Sequence, residues 1–302
     1  VNLVRHRQSS EYAVLKFCCK LDAPSYAHLR AEAELASKLR GPFVLAPLAV
    51  SDSPGRAGNF SLLLPLCPGG DLLQLMRRQP NGLFTEEAMQ MYASMIVLGL
   101  SSIHSKGLVY RDLKPENLLI RGSGHLVIAD FGLTATLAVC KRKAKVGTVA
   151  YQAPEIVRKS PHDSAVDWWA LGCLMLEMVS GVQVFAGEDD DATEAKILAH
   201  QGGIPHGIPQ GIPASGEQAH HELSPAGRNI CGLLLNPVAS DRLGSVAAGG
   251  FAALRQHEWF SQIEWDAVEK LEAPPPFVPP PLPTEEDEAL VELASRCQDG
   301  FR

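Results

Sequence analysis

Residues 110–117 read Tyr-Arg-Asp-Leu-Lys-Pro-Glu-Asn; thirteen residues past Asn117 comes Asp130-Phe-Gly132, followed by Ala153-Pro-Glu155. The first run is too polar for a core and carries a proline that neither continues a helix nor donates a hydrogen bond. It is followed at once by the apolar Leu118-Leu-Ile120. A chain that holds so many charged residues in loops needs a large apolar scaffold behind them. With 302 residues and 46% hydrophobic content the chain is long enough for two lobes around a cleft.

The rest of the composition mainly excludes. A net charge of −7 gives no electrostatic reason to expect nucleic acid, though it suits basic protein substrates. The seven cysteines include the adjacent pair Cys18 and Cys19 but no CxxC spacing, so a zinc site is not indicated and a reduced, cytoplasmic compartment is expected. The longest apolar stretch, Trp168 to Phe185, is interrupted by Glu177, Ser180, Gly181 and Gln183, so it reads as a buried helix and not a membrane span.

From Val1 to Leu66 the pattern predicts strand, strand, helix, strand, strand: VNLV, YAVLKF, a helix from about Pro24 to Leu39, VLAPLAV and FSLLLPL. After Cys67-Pro-Gly-Gly70 the pattern turns helical. Thr85 is the expected N-cap of a helix running to about Ser105, with Glu86 and Glu87 in its first turn and a stripe of Ala88, Met91, Met95 and Leu98. Residues 167–178 are apolar on nearly every side, which suits a helix at the centre of a lobe. Three Gly-Ile-Pro repeats in residues 202–213 predict a surface loop, and the proline-rich run from Ala273 predicts an extended strap along the outside. The expected divisions are residues 1–66, 67–265 and 266–302.

Lys16 lies in a strand whose other inward positions are apolar, so its ammonium needs an anion. Glu32 and Glu34 are the nearby candidates on the helix. Leu29, Glu32, Leu35, Ala36 and Leu39 share one helical stripe while Glu34 points away, so Glu32 is the expected partner.

The three motifs, in that order and spacing, resemble the signature set of protein kinases. A single tripeptide match arises by chance in roughly a few per cent of chains this long, and three in register in well under about one per cent. Asp167-Trp-Trp-Ala-Leu-Gly172, Arg242-Leu-Gly244, His257-Glu-Trp-Phe260 and Ala273-Pro-Pro-Pro-Phe-Val-Pro-Pro280 extend the resemblance to the AGC group of Ser/Thr kinases, over the whole chain. Residues 1–16 and Cys297 to Phe301 are most similar to cyclic-nucleotide-dependent kinases, and the activation segment, Cys140 to Val146, to G-protein-coupled-receptor kinases. The resemblance implies an α+β, two-lobed protein-kinase-like fold: a small β-rich N-lobe, a larger helical C-lobe and an AGC-type C-terminal tail. Val1 falls on the valine that closes the family's Gly-rich loop. The first strand and that loop are therefore expected upstream of this segment, which alone would bind ATP poorly.

The implied activity is transfer of the ATP γ-phosphate to Ser/Thr hydroxyls of proteins, with Mg2+. The alternative is a pseudokinase or scaffold that keeps the fold, or a segment inactive without its Gly-rich loop. By resemblance, Asp112 is the base, Lys114 reaches the transferred phosphate, Asn117 and Asp130 hold magnesium, and Thr148 braces Asp112 and Lys114. Lys16, paired with Glu32, would meet the nucleotide phosphates. Leu64 would guard the back of the adenine pocket, the Pro65 carbonyl and Cys67 amide would face the base, and Val1, Ala13 and Leu119 would cover the ring. Glu155 and Arg242 would form a buried ion pair, and Asp167 would brace the catalytic loop.

Asp71 and Glu116 match acidic positions that hold arginines upstream of the phosphorylated residue; Glu194 is a third candidate, one position out of register. Asp71 is equally a favoured helix cap. Gln152 replaces the apolar residue common in the pocket for the residue after the phosphosite. Ala144 stands where many AGC kinases carry a phosphorylated Thr, so the segment around Arg111 is expected to be held by other contacts or by an anionic partner. Regulatory domains or subunits would lie outside this segment.

Overall fold

The computed structural model describes residues 1–9, 11–19, 21–53, 58–140, 146–205 and 223–281. Ala144, most of the Gly-Ile-Pro repeats and the tail end Cys297 to Phe301 lie outside them.

Four strands, β1 (Asn2–Arg5), β2 (Tyr12–Cys19), β3 (Ala49–Asp52) and β4 (Asn59–Pro65), form an antiparallel sheet in the order β1-β2-β4-β3. Helix α1 (Ala23–Lys38) packs its buried face of Leu29, Glu32, Ala33 and Ala36 on this sheet. It starts where Asp22 accepts a hydrogen bond from Ser25 N and Pro24 sits in the first turn, a position where its missing N–H is harmless. The run VLAPLAV is not one strand. Val44 makes a single bridge to Ile128, and regular pairing resumes only at Ala49, beyond Pro47, which cannot donate to a ladder.

The helical lobe follows, with α2 (Leu72–Arg78), α3 (Glu86–His104), α4 (Leu137–Cys140), α5 (Pro154–Val157), α6 (Ala165–Ser180), α7 (Asp190–Ala199), α8 (Pro225–Leu234), α9 (Gly250–Arg255) and α10 (Trp265–Glu269). Two short ribbons join it: β5 (Leu108–Val109) with β8 (Ala135–Thr136), and β6 (Leu118–Ile120) with β7 (Leu126–Ile128). Thr85 caps α3 by accepting from Ala88 N. The expected stripe of α3 is only its less buried flank. Met95 is buried, but Ala88, Met91 and Leu98 are partly exposed, while Met89, Tyr92, Ala93, Ile96, Val97 and Leu100 are buried on other sides. Every residue of α6 but Val179 is buried, and Trp168 and Trp169 are among the largest of them. At roughly 1.5–3 kcal/mol for each large apolar side chain, α6 and α3 are the apolar scaffold on which the polar loops rest.

Residues 273–281 carry no helix or strand and cross the β6–β7 turn. His125 Nε2 lies 3.2 Å from Ala273 O, and a Cβ at Gly124 (φ +85°) would come within 2.1 Å of Phe277 O. No helix among the described residues is long and apolar enough to cross a membrane.

Candidate active site

Lys16 enters from β2 and Glu32 from α1. Successive strand side chains face opposite ways, so Val14, Lys16 and Cys18 share the face toward α1, and Ala13, Leu15 and Phe17 share the other. The uninterrupted register of β2 therefore corrects the placement of Ala13 as a ring-covering residue: Val14, 6% exposed, stands beside Lys16 instead. Lys16 Nζ donates to Glu32 Oε2 at 2.7 Å. Glu34 points away and pairs with Lys38 at 3.0 Å. Burial pushes the Glu32 carboxyl above the ordinary carboxylate range, Lys16 pulls it back, and the Asp130 carboxylate pushes it up again. That repulsion puts α1 and the Asp130 turn in one electrostatic neighbourhood.

Asp130 has φ +51°, a conformation Asp tolerates better than most residues, and its Oδ1 accepts from Gly132 N at 3.0 Å. A Cβ at Gly132 would lie 2.7 Å from His28 Nε2 on α1, so this position admits only glycine without a shift.

The loop after β5 is held from below. Asp167, 1% exposed in the first turn of α6, accepts from Tyr110 N at 2.9 Å and Arg111 N at 2.7 Å, and its Oδ2 is 2.7 Å from His104 Nε2. Arg111 sits at φ +70° and donates through Nε to Leu133 O at 2.8 Å. A left-handed non-glycine residue costs about 1–2 kcal/mol, and the Asp167 clamp is what holds it there. The buried Tyr110 hydroxyl donates to Ala129 O at 2.5 Å, tying the loop to the strand that leads to Asp130.

On this base four side chains converge. Lys114 Nζ is 3.1 Å from Asp112 Oδ2 and donates to Thr148 Oγ1 at 3.0 Å; Thr148 Oγ1 donates to Asp112 Oδ1 at 3.2 Å. Asn117 Nδ2 donates to Asp112 O at 2.9 Å and Oδ2 at 2.8 Å. Asp112 is thus fixed from three sides, and the Asn117 amide keeps its oxygen as an acceptor. Among the described residues no cluster of three or more His, Cys, Asp or Glu is set to hold a metal. The oxygens of Asp130 and Asn117 are a hard, incomplete donor set, which fits Mg2+ completed by phosphate oxygens and water.

Leu64 is buried at the end of β4, and Val1, Leu66, Cys67 and Leu119 pack against the same apolar cluster as Val14, Val127 and Ala129. Pro65 pairs with Ala13, and Cys67 O accepts from Gly70 N at 3.2 Å.

Of the acidic candidates, Asp71 caps α2, accepting from Gln74 N at 2.7 Å and Gln74 Nε2 at 2.8 Å. Glu116 is exposed at the end of the Asp112 loop, and Glu194 is half-buried on α7. Glu177 was missed from the sequence. It is 6% exposed, accepts from the Tyr151 hydroxyl, and its carboxyl is pushed up by burial and by the nearby Glu116. The signal was present: beyond Asp167 in its first turn, α6 carries a single carboxylate, Glu177, in an otherwise apolar run. Burial also pushes the Tyr151 hydroxyl up, and the Glu177 charge adds to that. Glu155 and Arg242 are joined at 2.7 Å and 3.1 Å, with Arg242 fully buried and the Glu155 side chain 12% exposed.

Residues 1–260 match the family described as "Protein kinase domain". The chain is 36% identical over 224 residues to ribosomal protein S6 kinase 2 beta of Xenopus laevis (74% of this chain, 33% of that protein). It is 35% identical over 224 residues to ribosomal protein S6 kinase alpha-3 of Homo sapiens (74% and 28%). It is 33% identical over 283 residues to the cAMP-dependent protein kinase catalytic subunit PRKX of Mus musculus (92% and 73%). The chain spans a third or less of the length of these S6 kinases. It belongs to the protein kinase domain family, as an AGC-group Ser/Thr kinase catalytic domain.

Proposed function

We propose that this chain transfers the γ-phosphate of ATP to Ser or Thr hydroxyls of protein substrates. The observation that carries the reading is the convergence of Asp112, Lys114, Asn117 and Thr148 on one point. Asp112, its carboxylate aimed by Asn117 and Thr148, orients the substrate hydroxyl and accepts its proton as the oxygen attacks phosphorus and ADP leaves. Lys114 follows the transferred phosphate, and Lys16, kept in place by Glu32, meets the phosphates of the nucleotide. Bound Mg2+, held by Asn117 and Asp130, would neutralise charge on the phosphates. The apolar surfaces at Val1, Val14, Leu64 and Leu119 take the adenine ring, and the Pro65–Cys67 backbone its polar edge.

Glu116, with Glu177 beside it, favours substrates with basic residues upstream of the phosphosite. A carboxyl pushed up by burial gains most from an incoming guanidinium. Asp71 can contribute only with the lone pairs its cap leaves over. The six cysteines among the described residues form no disulfide with one another, in keeping with the reduced, cytoplasmic setting proposed for the chain.

The test is phosphate transfer by the full-length protein from Mg-ATP to Arg-containing peptides, with Asp130→Asn as the comparison. The variant should lose activity by about a hundredfold or more. Equal rates for the two proteins would end the enzyme reading.

A further inference from the structure

One polar side chain beside this site has no role in the reaction as described. Gln152 directly follows the 3₁₀ turn Val149–Tyr151 and is 3% exposed. Its Nε2 donates to Val146 O at 3.1 Å and to Gly147 O at 2.9 Å. With two carbonyls as partners, the nitrogen and not the oxygen of the amide has to face them. Oε1 is left buried and without a hydrogen-bond partner among the described residues. An unpaired buried acceptor is destabilising, so the orientation is kept for what the nitrogen does.

The two carbonyls belong to the residues just before Thr148. Gly147 has φ +87°, and a Cβ there would come within 2.5 Å of Arg111 O, so this stretch presses directly on the loop that carries Asp112. Thr148 then reaches both Asp112 and Lys114. Gln152 closes the turn by tying the backbone before Thr148 to the backbone after Tyr151. An apolar residue would fill the same space but could bond neither carbonyl.

We propose that Gln152 is a positioning residue for phosphoryl transfer: by holding Val146 O and Gly147 O, its carboxamide sets Thr148 Oγ1 against Asp112 and Lys114. Order in this segment then comes from a side chain within it. The proposal rests on the reading of Asp112 and Lys114 given above.

The experiment compares full-length wild type with Gln152→Leu and Gln152→Glu, measuring kcat, KM for Mg-ATP and amide exchange in residues 146–151. For Gln152→Leu, kcat should fall about 10- to 100-fold with the nucleotide KM within about twofold. Exchange in 146–151 should quicken while α3 is unchanged. For Gln152→Glu, the new carboxylate would face two carbonyls and repel them, whereas its protonated form regains one donor. Activity relative to wild type should therefore climb as pH is lowered from about 8 to about 6. An unchanged kcat for Gln152→Leu, a pH-independent ratio for Gln152→Glu, or faster exchange throughout the protein overturns the proposal. Unchanged exchange at 146–151 overturns it whether or not wild type turns over, whereas absence of turnover in wild type defeats only the assigned reaction.

Discussion

Arg242 is a fully buried cation, and its surroundings explain how it is tolerated. Both carboxylate oxygens of Glu155 accept from its guanidinium, Ala165 O and Asn236 O accept at 2.8 Å and 2.9 Å, and Trp169 lies 5.2 Å from it face-on. A pair this deep adds little over an apolar pair of the same size, because desolvation offsets most of the attraction. Removing one partner is a different matter. Glu155→Leu strands the guanidinium with only backbone acceptors and should cost about 3 kcal/mol, the low end for a broken buried pair because those acceptors remain. Urea denaturation would show it as a lower midpoint with an unchanged slope. Glu155→Leu combined with Arg242→Met should recover much of the loss; a double variant as unstable as the sum of the singles would mean the two residues act separately.

At the scale of elements, α3 sets two opposing effects against each other at Gly99. Replacing a mid-helix glycine by alanine gains about 1 kcal/mol of helix propensity. A Cβ at this position, however, would sit 2.8 Å from Ile128 Cδ1 and 2.9 Å from Phe43 O. The isoleucine tip can turn away, but the backbone carbonyl cannot, and Phe43 O already accepts from Ile128 N. Overpacking of this kind costs about 1–3 kcal/mol, so Gly99→Ala should destabilise on balance, comparably to the loss of about 1 kcal/mol expected for removing the cap with Thr85→Ala. Thermal unfolding of the two variants decides it, and a stabilised Gly99→Ala would mean that β7 moves freely against α3. The same helix shows why sequence pattern carried part of the fold and not the rest. Its start was readable because capping is local chemistry, as were Lys16 with Glu32, where helical period chose between two carboxylates. Its faces were not, because burial from several sides erases the stripe that period detects. Ala13 was placed on the wrong face of β2 for a different reason: in any strand residues 14 and 16 share a side and 13 does not, so the period of two already in the sequence favoured Val14 over the residue that family likeness suggested. Glu177 was seen as an interruption in an apolar run, and its nearness to Tyr151 and Glu116 depends on contacts far apart in the chain.

For the molecule as a whole, the two lobes each bury a carboxyl that burial pushes upward, Glu32 against α1's sheet and Glu177 in α6. The consequence for stability has a definite sign. In the unfolded chain such a group ionises near about pH 4.3. In the folded protein it keeps its proton to a higher pH, so over the interval between the two values the native state binds more protons than the unfolded one. Stability from these groups is therefore fully present below the unfolded value and is lost as pH rises through the folded one. Glu177→Gln isolates one of the two, because the amide oxygen can still accept from the Tyr151 hydroxyl while carrying no charge. Relative to wild type, the variant should grow more stable as pH is raised from about 4 to about 8, read as a widening gap between urea midpoints. A gap that stays constant, or that narrows, would mean the Glu177 charge is satisfied within the folded chain. Its pairing with a substrate arginine would then have nothing to relieve. If the gap widens, an Arg-containing peptide should raise the Tm of wild type at neutral pH more than that of Glu177→Gln, because ligand binding stabilises in proportion to its preference for the native site.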